Sequence, residues 1–274
     1  MYNDIGIFIP TKGRLNKQDT YCILKNLNLN PTLVIEPQEE DEAIEKNYNF
    51  ITLPENNKGI SYSRNYILDF VRKYNYEYIC MIDDDINRFG YIKDKKRIKD
   101  NNAFLDALKY FKEVKTCGTM QYTQFAWCQP KSIVYNKALE VVMFLYMPQL
   151  KNIYFEEDTI EDRDFSLDLI LNHNITTFRL NHLYFQCPSI GTNKGGIDSD
   201  SRFAKQVNWS LKMEKKWGSN ICEYVIKKNG VPDIKINWIN VEKILKEKKQ
   251  KLSNFNILKP KYEQLQFDFM KEFV

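Results

Sequence analysis

Residues 76–86 read YEYICMIDDDI, an apolar run that stops at three aspartates. Tyr78, Ile79, Cys80, Met81 and Ile82 carry no charge and are short, bulky or β-branched, the composition of a strand buried on both faces of a parallel sheet. Asp83, Asp84 and Asp85 then fall at its carboxyl end, the edge where an open α/β sheet binds its ligands. Carboxylates crowded on such a rim repel one another unless a cation holds them, so the run points to a hard divalent ion with oxygen ligands. A plain turn is the alternative, because Asp is common after strands.

Upstream, strand and helix signals alternate. IGIFIPT (Ile5 to Thr11) predicts a first strand and Lys12, Gly13 and Arg14 a cationic turn; a helix is expected from about Asn16, its cap, to Leu27. TLVIEP (Thr32 to Pro37), an acidic helix around Glu39 to Lys46 and FITLP (Phe50 to Pro54) continue the alternation, which predicts a doubly wound sheet with right-handed crossovers. NNKGISYSRNYILDFVRKY (Asn56 to Tyr74) enters a helix near Ser61, with Ile60, Tyr66, Ile67, Phe70 and Val71 on its apolar face. Arg64 and Asn65 sit in its first turns, where the helix end favours anions and an arginine adds a bidentate phosphate contact. A solvated surface cation is the competing reading of Arg64.

Downstream, KDKKRIK (residues 93–99) reads as a solvated loop and Asn102 to Val114 as a helix. TCGTMQYTQFAW (Thr116 to Trp127) and KSIVYNKAL (Lys131 to Leu139) read as β-rich, with Gly118 marking a close approach of backbones. NIYFEE (Asn152 to Glu157) predicts a strand ending in acid, and DTIEDRDFSLDLILNH (Asp158 to His173) a helix whose acids gather at its start. ITTFRLNHLYFQ (Ile175 to Gln186) predicts a strand. CPSIGTNKGGIDSD (Cys187 to Asp200) reads as a mobile loop closing over an anion, or a plain linker. A helix from about Ser201 to Trp217, a hairpin over Lys227 to Trp238 and a basic helix from Val241 to Leu252 complete the pattern. The last stretch carries Phe255, Tyr262, Leu265, Phe267, Phe269 and Phe273, enough apolar surface to dock back on the body.

The totals agree with a folded chain: 274 residues, 43% hydrophobic, 14% aromatic and 28% charged exclude disorder. A formal net charge of +4 is mild and does not by itself announce a nucleic-acid binder. Six cysteines without zinc-like spacing read as reduced thiols, and no run approaches the roughly 20 apolar residues of a membrane span, so a cytoplasmic protein without a membrane segment is expected.

Three separated segments now converge on one rim: Arg64, the run Asp83 to Asp85, and Glu161 with Asp162. IFIPTKGR, GISYSRN, IDDD and EDRDFSLDL together resemble the GT-A class of nucleotide-sugar glycosyltransferases over about residues 5–185. They are similar to its first nucleotide-binding strand and turn, the glycine-to-Arg-Asn segment of family-2-like members, the Asp-x-Asp motif and the catalytic acidic helix. The IPTKGR opening, the EDRDF helix and the GTNKGG loop, in a compact chain, look most like the TET/JBP-associated glycosyltransferases, a phage-rich group thought to decorate hydroxylated pyrimidines in DNA.

The resemblance implies a divalent metal, Mn2+ or Mg2+, bound by Asp85, with Asp83 against the ribose or a metal-bound water and Asp84 as the variable middle residue. The donor it implies is a nucleotide sugar, UDP-linked, and inverting transfer is expected. Pro10, Thr11, Lys12 and Arg14 would contact the nucleotide, Glu36 the base or ribose, and Lys194 an anion. The acceptor hydroxyl must lose a proton, which needs a carboxylate within reach. Asp162 is the candidate base, with Glu161 and Asp164 as second choices. His182 is the candidate for a histidine completing the metal shell, with a solitary core histidine as the rival reading. The acceptor implied is a 5-hydroxymethylpyrimidine in DNA, with KDKKRIK, Lys194 and the Lys243 to Lys251 helix as phosphate contacts or, alternatively, solvated faces.

The expected architecture is α/β, a Rossmann-like GT-A mixed central sheet flanked by helices. Residues 1–200 form the catalytic domain, divided into nucleotide-sugar binding (1–90) and acceptor parts (91–200), and residues 201–274 a helical and hairpin extension packed on it. Open alternatives are a polysaccharide, lipid or protein acceptor, a non-catalytic nucleic-acid-binding module, and a metal-dependent nuclease or nucleotidyltransferase using the same aspartates.

Overall fold

Strand and helix alternate along the first part of the chain: β1 (Ile5–Pro10), α1 (Asp19–Asn26), β2 (Pro31–Ile35), α2 (Glu40–Glu45), β3 (Phe50–Thr52), α3 (Ile60–Lys73) and β4 (Tyr78–Ile82). Then come β5 (Arg88–Lys93), β6 (Lys96–Lys99), α4 (Ala103–Val114), β7 (Gly118–Tyr122), α5 (Thr123–Ala126), β8 (Ile133–Tyr135), β9 (Val142–Tyr146), α6 (Glu161–Leu167) and β10 (Phe178–Gln186). The C-terminal part is α7 (Ser199–Trp217), β11 (Cys222–Ile226), β12 (Pro232–Ile236) and α8 (Trp238–Ser253). The computed structural model describes residues 2, 4–157, 159–188, 199–228 and 230–253. Asp158, Lys194, the GTNKGG loop and the aromatic C-terminal tail lie outside them.

The first ten strands form one mixed sheet in the order β3-β2-β1-β4-β9-β7-β10-β5-β6, with β8 paired to β10. β1, β2, β3 and β4 are parallel, β9 is antiparallel to both β4 and β7, and β7 and β10 are parallel again. The carboxyl ends of β1, β2, β4, β7 and β10 therefore share one edge, and β9 and β5 begin there.

Burial follows the strand period. Tyr78, Cys80 and Ile82 of β4 pack with α1 and α4, through Leu24, Phe104, Leu108 and Phe111, while Ile79 and Met81 pack with Ile67, Leu68 and Val71 of α3. β4 is thus buried on both faces, as its composition predicts. A separate cluster joins the end of α6 to the C-terminal unit, through Leu167, Ile170, Leu171, Met213, Cys222, Ile234 and Val241. No described helix is long and apolar enough to cross a membrane.

Several elements differ from expectation. α1 begins at Asp19, and Asn16 is not its cap. Residues 93–99 are not a loop: Asp94 and Lys95, at φ 50° and 57°, turn the chain into the antiparallel hairpin β5–β6, which left-handed residues favour. NIYFEE is not a strand, because its backbone is taken by side chains of α3. Asn65 bonds Phe155 N–H and C=O at 2.8 and 2.9 Å, and Arg72 donates to the Ile153 and Leu150 carbonyls at 2.7 and 2.8 Å. The strand beside β4 is instead β9, VMFLY, which the sequence pattern did not single out. Gly118 makes room for a side chain rather than for a backbone, since a Cβ there would collide with the Phe178 ring.

Candidate active site

The aspartate run emerges from β4 with three different environments. Asp84 is buried: its Oδ2 accepts from Thr11 Oγ at 2.6 Å and its Oδ1 from Arg14 at 2.6 Å. This fastens the β1 turn to the end of β4, so the middle residue has an internal structural role rather than a nucleotide contact. Asp83 keeps 38% of its side chain exposed and lies 3.3 Å from Arg64. Asp85 lies 3.5 Å from Arg14. Surrounding protein pushes the Asp83 carboxyl up to about 7, because burial, Asp85, Asp84 and Glu161 together outweigh Arg64.

The β1 turn is likewise held from within. Lys12 Nζ donates to Glu36 at 3.0 Å, and Glu36 also accepts from Gln38 at 2.8 Å and from Asn57 N–H at 2.8 Å. Glu36 is therefore a clamp for Lys12 and the 57 turn, and the expectation that it meets a base or ribose is not supported by this arrangement. Gly13 N–H donates to Glu39 at 2.7 Å. Pro10 ends β1 and is buried, and Thr11 also accepts from Gln18 at 2.8 Å. Of this set, Arg14 remains the cation beside Asp84 and Asp85.

Arg64 is not a solvated cation. It projects from α3 into the interior and pairs with Glu161 at 2.9 Å and Asp83 at 3.3 Å, with Phe155 5.4 Å from its guanidinium. Burial opposes its charge, but Glu161, Asp83 and Asp162 overcome this and raise its pKa. The expected phosphate contact is replaced by a bridge between the two acidic runs, which fixes α6 against the end of β4.

On α6 each charged residue has a different fate. Glu161 is engaged by Arg64, and burial pushes its carboxyl up. Asp164 is buried and accepts from Lys216 at 2.8 Å and Trp217 Nε1 at 2.7 Å, which makes it the anchor for α7 and removes it as a second-choice base. Arg163 points to the C-terminal hairpin, where it donates to Asp233 and the Ile234 carbonyl, both at 2.9 Å. Among the described residues the Asp162 carboxylate accepts from its neighbour's backbone, Arg163 N–H, at 2.7 Å, and no cation lies in ion-pair contact with it.

Glu140, Val141, Ser166 and Tyr122, near the rim, were not legible in the sequence. Glu140, in the turn entering β9, lies 3.5 Å from Arg163, and burial followed by the nearby Asp162 pushes its carboxyl up despite Arg163 and Arg179. Its neighbour Val141 has φ +56°, an outlier for a β-branched residue, and its carbonyl accepts from Asp83 N–H at 3.1 Å. Ser166 Oγ accepts from Leu139 N–H at 2.8 Å and donates to the Asp162 carbonyl at 2.6 Å, tying the turn to α6. The pKa of the Tyr122 phenol, at the end of β7, is raised by burial first and then by Cys187, Glu140, Asp83 and Asp162.

Asp83 and Asp85 fit a divalent cation in donor chemistry: both offer hard oxygens, and their mutual repulsion is the kind a dication relieves. Among the described residues no group of three or more His, Cys, Asp or Glu side chains is placed to hold a metal ion, so this pair is the extent of the protein donor set there. His182 is not brought to them. It lies within β10, four residues before the strand's rim end at Gln186, or roughly 13 Å along the strand. Its Nδ1 is 3.0 Å from the Ser132 carbonyl, burial lowers its pKa, and the acid acting on it is Asp106.

The sequence model of the TET-Associated Glycosyltransferase family matches residues 5–196. Among solved structures, A197 from STIV is 15% identical, with 66% of this chain and 83% of that chain covered and a TM-score of 0.41. A CMP:2-keto-3-deoxy-manno-octonic acid synthetase complexed with CTP is 10% identical, with 77% and 99% covered and a TM-score of 0.42. A cytidylyltransferase from Leptospira borgpetersenii is 11% identical, with 93% and 99% covered and a TM-score of 0.37. No curated protein matches.

Proposed function

The chain belongs to the TET-associated glycosyltransferase family, and on that premise we propose that it moves a sugar from a UDP-linked donor to the hydroxyl of a 5-hydroxymethylpyrimidine in DNA, with inversion and with Mn2+ or Mg2+ at Asp83 and Asp85. The observation that carries this reading is the state of Asp162. It is the one acid in the first turn of α6 without a cation partner among the described residues, and Arg64 ties its helix to the aspartate rim. An unpaired carboxylate there is suited to take the proton of an acceptor hydroxyl.

The bound cation would neutralise charge on the departing diphosphate. Arg14 adds a positive group beside Asp84 and Asp85 on the same side. Glu161 and Asp83, held by one buried arginine, set the separation between the donor and acceptor sides.

Support for a nucleic-acid acceptor comes from surface chemistry. Phe125 and Trp127 are about half exposed just beyond the rim end of β7, and Phe125 packs edge-on against Tyr122 with centroids 6.5 Å apart. Exposed aromatic faces of this kind stack an unpaired base. Lys96, Arg97 and Lys99 lie exposed along β6, at the edge of the sheet beyond β10 and β5, where they suit phosphates. The test is UDP release from UDP-glucose with Mn2+, with and without hydroxymethylated duplex DNA. Release stimulated by that DNA, and not by unmodified DNA, is expected; equal rates in both would overturn the acceptor assignment.

A further inference from the structure

Arg163 follows Asp162 directly, yet its guanidinium makes no ion pair with that carboxylate. Asp162 is the largest of the acidic charges acting on it, ahead of Glu140 and Asp233, but its direct contacts go to those two acids, which lie on different elements. Nη1 donates to Asp233 Oδ1 and to the Ile234 carbonyl, both at 2.9 Å, on strand β12, and Nε lies 3.5 Å from Glu140 Oε1 in the turn entering β9. Asp233 is itself buried, and its other oxygen is held by Lys227 at 2.6 Å. The cation–acid pairings of α6 are thus divided between the catalytic body and the C-terminal unit: Arg64 takes Glu161, Lys216 takes Asp164, and Asp233 takes Arg163.

We propose that Asp233, on the C-terminal hairpin, is a positioning residue that holds the Arg163 guanidinium off Asp162 and so keeps that carboxylate without a cation partner. The physical reason is local. A buried guanidinium that loses its carboxylate is left uncompensated at a cost of several kcal/mol, so it turns to another acid within reach. With Asp233 neutralised, the acids acting on Arg163 are Asp162 and Glu140. An Asp162 engaged by Arg163 is a poorer proton acceptor and is turned away from the acceptor. Glu140, held by the left-handed Val141, is the second restraint, but it lies farther from Arg163 than Asp233 does. On this view the C-terminal unit sets the state of the base.

This inference rests on Asp162 being the base, and its test has one arm that does not. A crystal structure of Asp233→Asn is expected to show the Arg163 guanidinium within about 4 Å of the Asp162 carboxylate, the ion-pair range; Arg163 unmoved, still on Ile234 O and Glu140, overturns the proposal with no substrate involved. In turnover with UDP-glucose and hydroxymethylated DNA, Asp233→Asn is expected to lower kcat about 10- to 100-fold with donor KM unchanged. Asp233→Glu should recover most of the loss, because it keeps the charge. The deciding comparison is the double variant: adding Arg163→Gln to Asp233→Asn should restore kcat, since the intruding cation is gone. A double variant as slow as Asp233→Asn, or slower, means that the hairpin acts only as a structural support, and the proposal fails. Should Asp233→Asn not fold, Arg163→Gln alone remains readable. It is expected to keep kcat close to that of the unsubstituted chain, whereas a loss as deep as that of Asp162→Asn overturns the idea.

Discussion

The two acidic runs on the rim solve opposite problems with similar letters. In IDDD the middle residue, Asp84, is buried and bonded by Thr11 and Arg14, while its flanking neighbours Asp83 and Asp85 stay half-buried, beside Arg64 and Arg14 respectively. In EDRD the outer acids are internal, Glu161 on Arg64 and Asp164 on Lys216 and Trp217, while Asp162 is left without a cation. The difference comes from local geometry. β4 ends at Ile82 and Asp84 and Asp85 lie in a turn, where Thr11 and Arg14 draw the middle carboxylate inward between its neighbours. A helix start turns consecutive residues by roughly 100°, so adjacent acids diverge. One run therefore presents a pair suited to a cation, and the other a single carboxylate suited to a proton.

The largest break in that contrast should come from Asp162→Asn. Transfer is expected to fall by about 100-fold or more while donor affinity holds, because a positioned base contributes at least this much. The kinetic constants for UDP-glucose decide it, and a fall in donor affinity alone would move Asp162 to the donor side. Asp85→Asn should do the reverse, weakening Mn2+-dependent UDP binding at least about tenfold, the scale seen even for outer-shell changes at metal sites. Calorimetry with and without Mn2+ separates the two, and unchanged affinity would remove Asp85 from the cation site.

Asp84→Ala tests the internal member of the first run. It removes the acceptor of a buried hydroxyl and of an arginine, so unfolding stability should drop by about 2 kcal/mol in urea titration. Wild-type stability would mean that Asp84 is not the fastening the geometry describes. The smallest effect is expected from Val141→Gly, which relieves a left-handed β-branched residue and should stabilise by up to about 1 kcal/mol less the lost side-chain packing. If activity falls while stability rises, the strain at Val141 is what holds Glu140 in place.

Much of this fold is readable along the chain because its period is strong. β1, β2 and β4 are short apolar runs, α3 and α4 carry an apolar stripe, and the order of the motifs matches that of the GT-A class. β9, VMFLY, is a continuous apolar run without the polar alternation that marks a half-buried strand, and NIYFEE misled because its apolar letters serve packing against α3 rather than a ladder. The hairpin β5–β6 was hidden by charge: an exposed edge strand of lysine and arginine looks like a loop until its pairing with β5 is seen, and such charge is how edges resist further pairing.

The same division runs through the site. Residue type and order along the chain suffice to nominate Asp83, Asp85, Glu161 and Asp162, since acids at a strand end and at a helix start need only local conformation to reach the rim. Which acid is tied and which is left open depends on partners tens of residues away: Thr11 for Asp84, Arg64 for Asp83 and Glu161, Trp217 for Asp164, and Asp233 for Arg163. Those pairings lie in side-chain directions and in the packing of the C-terminal unit on α6, and neither leaves a mark in the local pattern. A charge in a folded protein is set by the groups that bury it.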